Sequence, residues 1–525
     1  MSDAASTTTA EWRPRANPWF IAIAVMLATF MVILDTTITV VALPYIAGNL
    51  GATQDESTWV LTSYLVANAV ILPASTWFSS YFGRKNFLIA CTAIFTGASL
   101  LCGLATSMNM LVLSRVVQGI GGGAMQPLSQ AILLESFPPA KRGAATALFG
   151  IAIVVAPIIG PTLGGWLTDN WSWRWTFYIN LPVGLLAFLL MSWLVEDPPY
   201  IRNKKPGRFD GMGFGLVALF LGTLQIILDK GQDADWFSAV WLRWFAVISG
   251  LSLVAFIVRE LTAENPLVDL SVFKNRNFAV SCGLFGLFGF ALYALITLQP
   301  LFLQSLLGYT AFDSGLSVSP RGVGAFAALF FVGALVGRVD SRLLAGLGFA
   351  AVALASFLLC RLSLQMTISS VILANMIAGF GTGCIFVPLT TLAVGTLRNE
   401  QIGNASSLQN LIRNTGGSIG LSAVSTLLQR YSQAHQSMMA GQMSPLNPIF
   451  QQKSAALQKI FEQRFNPADA LAHADGLLYR TLLQQSDYWA FMNVFLLVAC
   501  FCGASAFCVL LFNKPRAIHA VALAD

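Results

Sequence analysis

Charge is what this 525-residue chain has least of: Asp, Glu, Lys and Arg together make up 10% of it, against about 25% in an ordinary soluble domain. So few charges cannot cover a water-facing surface, which excludes a soluble globular protein. Histidine is scarcer still, with 3 residues scattered along the chain. The 8 cysteines all lie in apolar runs, and none pairs with a histidine at metal-ligand spacing. They read as small packing residues rather than a zinc site or a disulfide framework. Gly121-Gly122-Gly123 sits in an apolar stretch with no Lys-Ser/Thr after it. It is therefore no phosphate-binding loop, and no other stretch offers ATP chemistry. No Ser/His/Asp set or metal constellation emerges, so the chain does not read as an enzyme. The net charge of +6 lies in short loops and forms no nucleic-acid footprint.

Apolar residues fill the gap, at 56% of the chain and a mean hydropathy of +0.69. Runs of about 20 apolar residues, enough to cross a bilayer core, recur throughout. The first follows a polar leader without a cleavage site, so it is expected to be a retained helix. Spans are expected near 19–43, 58–79, 87–106, 109–134, 142–165, 174–195, 211–229, 237–258, 278–304, 312–335, 343–361, 368–394, 401–428 and 488–512. That is an all-α integral membrane protein with fourteen crossings and both termini on one side.

Basic residues predict which side. Arg13 and Arg15, Arg84 and Lys85, Lys141 and Arg142, and Arg202, Lys204, Lys205 and Arg208 fall in alternate loops. Arg259, Lys274, Arg276, Arg338, Arg342, Arg398, Lys514 and Arg516 continue on the same side. The opposite loops hold Arg174, Lys230, Arg243 and Arg361. Both termini are therefore expected in the cytoplasm. Residues 429–487 form the longest polar segment, on the exterior side. Their apolar residues recur at helical spacing, and Asn466-Pro467 reads as an N-cap followed by Pro at the first helical position. A helical hairpin is expected there.

The turn "TWFSSYFGRK" after the second span is echoed by "GALVGRVDSR" after the tenth. One loop motif used twice suggests two six-helix halves. The expected division is a bundle at 1–197, an inserted helix pair at 198–262, and a bundle at 263–525 that carries the hairpin. Such bundles, related by an axis along the membrane normal, describe the major facilitator fold.

Six segments in order carry a resemblance: "LDTTITVVALP", "RVVQGIGGGAMQP", "APIIGPTLGGW", "WRWTFYINLPVG", "NPLVDLSVFKNRNF" and "SSLQNLIRNTGGSIG". The chain resembles the EmrB/QacA-type fourteen-helix drug:proton antiporters of the major facilitator superfamily. The resemblance implies an antiporter motif at Ala156, Pro157, Gly160, Pro161, Gly164 and Gly165, and a cytoplasmic loop motif at Gly83, Arg84 and Lys85. That loop departs from the family pattern, with Thr76 and Ser80 where a glycine and an aspartate are usual. The departure removes the carboxylate of the charge relay proposed for other members.

Asp35 is the one carboxylate these spans place deep inside a helix. A central Asp costs about 2.5–3.5 kcal/mol to insert and usually faces a bundle interior or a water-filled cavity. Thr36 and Thr39 give its helix a narrow polar edge. It could be a structural staple, permanently neutralised by an arginine. It could instead exchange a proton as desolvation and nearby charge alternate. Arg115, at matching depth on the fourth helix, is the expected partner. Arg115, Gln118, Gly122, Gln126 and Ser129 recur at steps of three or four. This stripe lines a cavity or joins helices. Arg321 and Arg413 are the other deep cations. They either attract an anionic substrate or satisfy helix-end carbonyls.

The function expected is a proton-coupled multidrug efflux transporter, exporting hydrophobic or amphipathic compounds without cofactor or metal, driven by the proton gradient. Asp35 and Arg115 would couple the proton, and Thr36, Thr39, Gln118, Gln126, Arg321 and Arg413 would border the substrate cavity. The resemblance of the exterior segment to EmrB-like pumps implies a periplasmic adaptor and an outer-membrane channel as partners, and a bacterial inner membrane as location. The rivals are a proton symporter for a nutrient or organic anion, and a non-transporting membrane sensor or scaffold.

Overall fold

Where this chain can start and stop a helix decides the architecture. The structure, a computed structural model, describes residues 14–512 apart from 139–140, 199–206, 265, 336–338, 367, 396, 398–400 and 445. Eight of the basic residues used to orient the chain (Arg13, Arg202, Lys204, Lys205, Arg338, Arg398, Lys514 and Arg516) lie outside the described residues.

α1 (Pro18–Leu50) opens on Asn17, whose side chain accepts from the Trp19 amide, and has Pro18 in the first turn. It runs past the expected end at residue 43, through Pro44, and stops at Gly51, whose φ of 64° lies in the left-handed region that favours glycine. α2 (Gln54–Phe82) begins with a Thr53–Glu56 capping box. α3 (Arg84–Gly103), α4 (Met108–Ser136) and α5 (Arg142–Asn170) follow. α6 is Trp175–Tyr178 continued after Ile179 as Asn180–Leu194. α7 (Gly211–Lys230) and α8 (Val240–Thr262) form the middle pair.

α9 (Arg276–Ser305) leads to α10, which is Ala311–Val318 continued after Ser319 as Pro320–Leu335. α11 (Ser341–Leu359), α12 (Ile368–Val394), α13 (Ile402–Ala440), α14 (Pro448–Phe461) and α15 (Pro467–Cys508) complete the chain.

Among the described residues, twelve helices are long and apolar enough to cross a membrane. α4 and α13 are long enough but more polar. They carry Arg115, Gln118 and Gln126, and Gln409, Asn410 and Arg413, all buried. Helices screened from lipid by their neighbours need not be apolar all round.

In the first half α1 packs on α4, α5 and α6, and α4 fits between α2 and α3. The glycines of α4 permit that fit. A Cβ on Gly123 would meet the Asn68 carbonyl of α2 at 2.5 Å, and one on Gly121 the Phe95 nitrogen of α3 at 2.7 Å. In the second half α13 packs on α9 and α15, and α12 on α10 and α11. Two seams join the halves: α5 lies against α10 and α12, and α13 lies against α2 and α4.

The described residues of 429–487 are mostly helical, and Asn466 and Pro467 take the expected capping positions. The segment differs from expectation in continuity. The apolar run ends where the helices do not: α13 and α15 run on beyond it, and α14 folds against α15. Ser432 bonds Asp487 at 2.5 Å and His435 meets Asn493 at 2.9 Å, tying the two stems. Ser454 of α14 bonds Asp475 of α15 at 3.0 Å.

Candidate functional site

Asp35 lies midway along α1 and is wholly buried. A buried carboxylate needs several donors, and α4 and α6 supply them, with α2 and α3 holding the donors in place. Arg115 Nη1 of α4 donates to Asp35 Oδ2 at 2.6 Å. Gln118 Nε2, one turn along α4, donates to Oδ1 at 2.9 Å, and Asn180 Nδ2 of α6 donates to the same oxygen at 2.7 Å. Ser99 of α3 accepts from both amides, at 2.6 and 3.2 Å. Arg115 is fixed further by Nε donating to the Val60 carbonyl of α2 at 3.0 Å and Nη1 to Gln118 Oε1 at 2.6 Å. Its guanidinium carbon lies 4.3 Å from the Tyr64 ring centroid.

The sequence does not single out Asn180 or Ser99. Asn180, a lone amide in "FYINLP", was the available signal. Ser99 carried none, since a small hydroxyl is common in a membrane helix.

Next to this network, between the halves, is a cavity of about 900 Å³ counting its open side. Thr36 of α1, Tyr64 and Asn68 of α2, Gln126 of α4, and Tyr293 and Asn414 of the second half supply its polar wall. Tyr64 therefore touches Arg115 on one side and the cavity on the other. The α4 stripe splits in two: Arg115 and Gln118 face the carboxylate, while Gln126 faces the cavity.

The other expected cavity residues sit elsewhere in this conformation. Thr39 is buried and its hydroxyl donates to the Asp35 carbonyl at 2.7 Å. Arg321 is buried in α10, donates to Gln299 at 2.9 Å, and borders a separate, mostly apolar pocket with Phe288 and Ile385. Arg413 lies behind the cavity wall, donating to the Asn414 side chain at 3.1 Å.

The motif of α5 packs on α1. A Cβ on Gly160 would overlap Thr37 Oγ1, and one on Gly164 would meet the Ile38 carbonyl at 3.1 Å. Ala156, Pro157 and Gly165 are buried and Pro161 is half-buried. At the far end of the bundle Gly83 takes φ 84° beside Asp197. The Lys85 amide donates to Asp197 at 2.9 Å, and Lys85 Nζ reaches the Ser192 carbonyl at 2.7 Å. Arg84 forms an ion pair with Glu135 of α4. Carboxylates from α4 and from just beyond α6 thus stand by the loop that lacks its own.

The sequence profile of the Major Facilitator Superfamily matches residues 25–421. The chain is 37% identical to "Probable multidrug resistance protein EmrY" of Escherichia coli K12, covering 84% of this chain and 86% of that one. It is 38% identical to "Multidrug export protein EmrB" of the same organism, covering 83% and 85%. Among solved structures, that of the human organic anion transporter MFSD10 shares the fold at a TM-score of 0.56 and 13% identity, over 93% of this chain and all 100% of that one. A central cavity between two helical halves and a sequence profile matched over most of the chain agree: this multi-pass membrane protein belongs to the major facilitator superfamily of transporters, in its EmrB-type branch.

Proposed function

We propose that the protein is a proton-coupled multidrug efflux transporter, a drug:H+ antiporter of the bacterial inner membrane with both termini cytoplasmic. It would cross the membrane fourteen times, with bundles at 1–197 and 263–525 and the inserted pair at 198–262. The names of its relatives support multidrug export. The observation that carries the coupling is the sealed Asp35–Arg115 pair, separated from the cavity by Tyr64 and Thr36. Ionised, Asp35 holds α1 to α4 and α6 through charge-assisted hydrogen bonds. Protonated, it loses the attraction to Arg115, which keeps Val60, Gln118 and Tyr64 as partners. The two states favour different packings of the first half. Alternating access needs such a bias, worth a few kcal/mol.

Substrate would occupy the cavity between the halves, where apolar walls with a few amides and hydroxyls suit hydrophobic and amphipathic compounds. The proton gradient supplies the energy and no cofactor is needed. The exterior hairpin would dock a periplasmic adaptor that leads to an outer-membrane channel.

The test is proton flux in proteoliposomes with wild type and Asp35→Asn. Substrate export coupled to proton uptake in wild type, and uncoupled in the variant, is expected. Coupled export by Asp35→Asn would sink the assignment. A wild type that moves no substrate and no protons would favour a sensor or scaffold.

A further inference from the structure

Of the middle helix pair, α7 reaches both bundles while α8 packs on α7. α7 and α8 divide their roles: the α8 face carrying Trp244, Leu251 and Val258 is exposed, whereas α7 buries Gly213, Val217 and Leu221 at steps of four. That buried stripe packs with Ala74 of α2, Phe278 of α9 and Leu408 of α13, so α7 touches both halves. The same stripe continues into Leu221, Leu224 and Gln225, which border the central cavity.

The seam that α7 covers differs from the other one. α5 meets the second half directly: Thr162 fits against Gly315 of α10, and Gly150 faces Phe386 of α12. Between α2 and α13, the contacts of Ser75 and Thr76 with Ser407 lie toward the Arg84 end of α2. At the depth of the cavity α7 packs on both α2 and α13, and all three helices line it. The far end of α7 is tied to both sides. Asp229 accepts from Thr62, and Lys230 Nζ lies 2.5 Å from Thr58, both on α2. In the connection to α8, Gln232 donates to Gln429 at 2.6 Å and Trp236 to Thr426 at 3.2 Å, both on α13.

We infer that α7 is the lipid-side wall of the substrate site and that Gln225 is a specificity-determining residue, selecting ligands with hydrogen-bonding groups over ones that are only apolar. This rests on the substrate occupying the central cavity. Gln225 is the polar side chain α7 gives to the cavity, set among Leu221 and Leu224. A site with an amide at this point favours a ligand able to bond it. An amide left unpaired against hydrocarbon costs more than the bond it makes contributes.

Two measurements on the full chain test this. In the first, Leu221→Cys, Leu224→Cys and Gln225→Cys are labelled with a membrane-impermeant methanethiosulfonate cation. The lipid-facing Leu219→Cys is the control, and the unsubstituted chain gives the background from native cysteines. The three cavity positions should react on the order of tenfold faster, because thiols react as thiolates in water. Equal rates at all four positions would overturn the wall.

In the second, proteoliposomes with wild type or Gln225→Leu transport ethidium, which has two aromatic amines, and tetraphenylphosphonium, which has no hydrogen-bonding group. The variant should raise KM for ethidium about fivefold, the value of one hydrogen bond, and lower KM for tetraphenylphosphonium by at least as much, since no amide is then left unpaired against it. An unchanged KM ratio would overturn the role of Gln225. A wild type that carries neither dye counts against the transport reading, and the labelling contrast still decides the wall.

Discussion

Arg115 Nη1 lies 2.6 Å from Asp35 Oδ2, and neither side chain is exposed to solvent. Breaking a buried pair by removing one member costs about 3–5 kcal/mol, because the other charge stays behind uncompensated. Arg115→Ala should therefore lower the melting temperature in detergent sharply. Asp35→Asn combined with Arg115→Gln should regain most of that stability and still fail to couple protons. A double variant that melts like Arg115→Ala would show that the packing of the arginine, and not its charge, holds the site.

Gly160 is expected to tolerate no side chain. A Cβ there would overlap Thr37 Oγ1 across the α1–α5 contact, and the atom beneath it, Thr37 Cβ, is 2.7 Å away. Gly160→Ala should destabilise the protein by about 1–3 kcal/mol through overpacking, and Gly160→Val should abolish membrane accumulation. Gly164→Ala, with its nearest atom at 3.1 Å, should be milder. Thermal-shift curves for the three variants check the order.

Arg84 and Glu135 are 8% and 4% exposed, and a Cβ on Gly403, at the start of α13, would lie 3.0 Å from Arg84 Nη2. The ion pair thus stands where the two halves meet. Glu135→Gln is expected to raise substrate-independent proton leak several-fold, read with a pH dye trapped in liposomes. The exchange Arg84→Glu with Glu135→Arg should reduce it again. Unaltered leak in Glu135→Gln would confine the pair to a structural role.

Asp210, just outside α7, has a lowered pKa. Burial opposes its ionisation, but hydrogen bonds from Arg259 and the Gly213 amide outweigh that. A carboxyl depressed on folding stabilises above its unfolded value of about 3.9 and loses that contribution as pH falls through the folded value. Asp210→Asn should lower the melting temperature at pH 7 and converge with wild type in acid. The effect should be under about 1 kcal/mol, since Arg259 is 41% exposed.

Replacing residues 441–466, which include α14, by a short turn should leave proton-driven transport in vesicles intact and abolish resistance in cells. The replacement keeps the tied stems of α13 and α15. Drug-plate survival equal to wild type would remove the adaptor from the proposal.

Much of this was written in the local pattern. Deep carboxylate and arginine at one depth announced their pairing, and the close-packed glycines of α5 announced a tight contact. The missing parts depend on tertiary geometry. Asn180 and Ser99 join the Asp35 network because α3 packs on both α4 and α6, bringing Ser99 to Gln118 and to Asn180. Glu135 and Asp197 come to the Arg84 loop from helix ends distant in sequence. Hydropathy also misjudged length: α13 and α15 stay helical where apolar residues give out, because stem-to-stem hydrogen bonds replace lipid as their surroundings.

The 42 residues of α15 span about 63 Å at 1.5 Å per residue, roughly twice the thickness of a bilayer core. One continuous helix therefore begins in the tip of the hairpin and ends in the second half. It acts as a lever arm: a tilt of about 10° would swing a tip some 30 Å beyond the membrane by about 5 Å. If the second half rocks as the proposed transport cycle requires, a partner bound to the hairpin would feel each turnover as a stroke, and a clamp on the hairpin would stall the bundle.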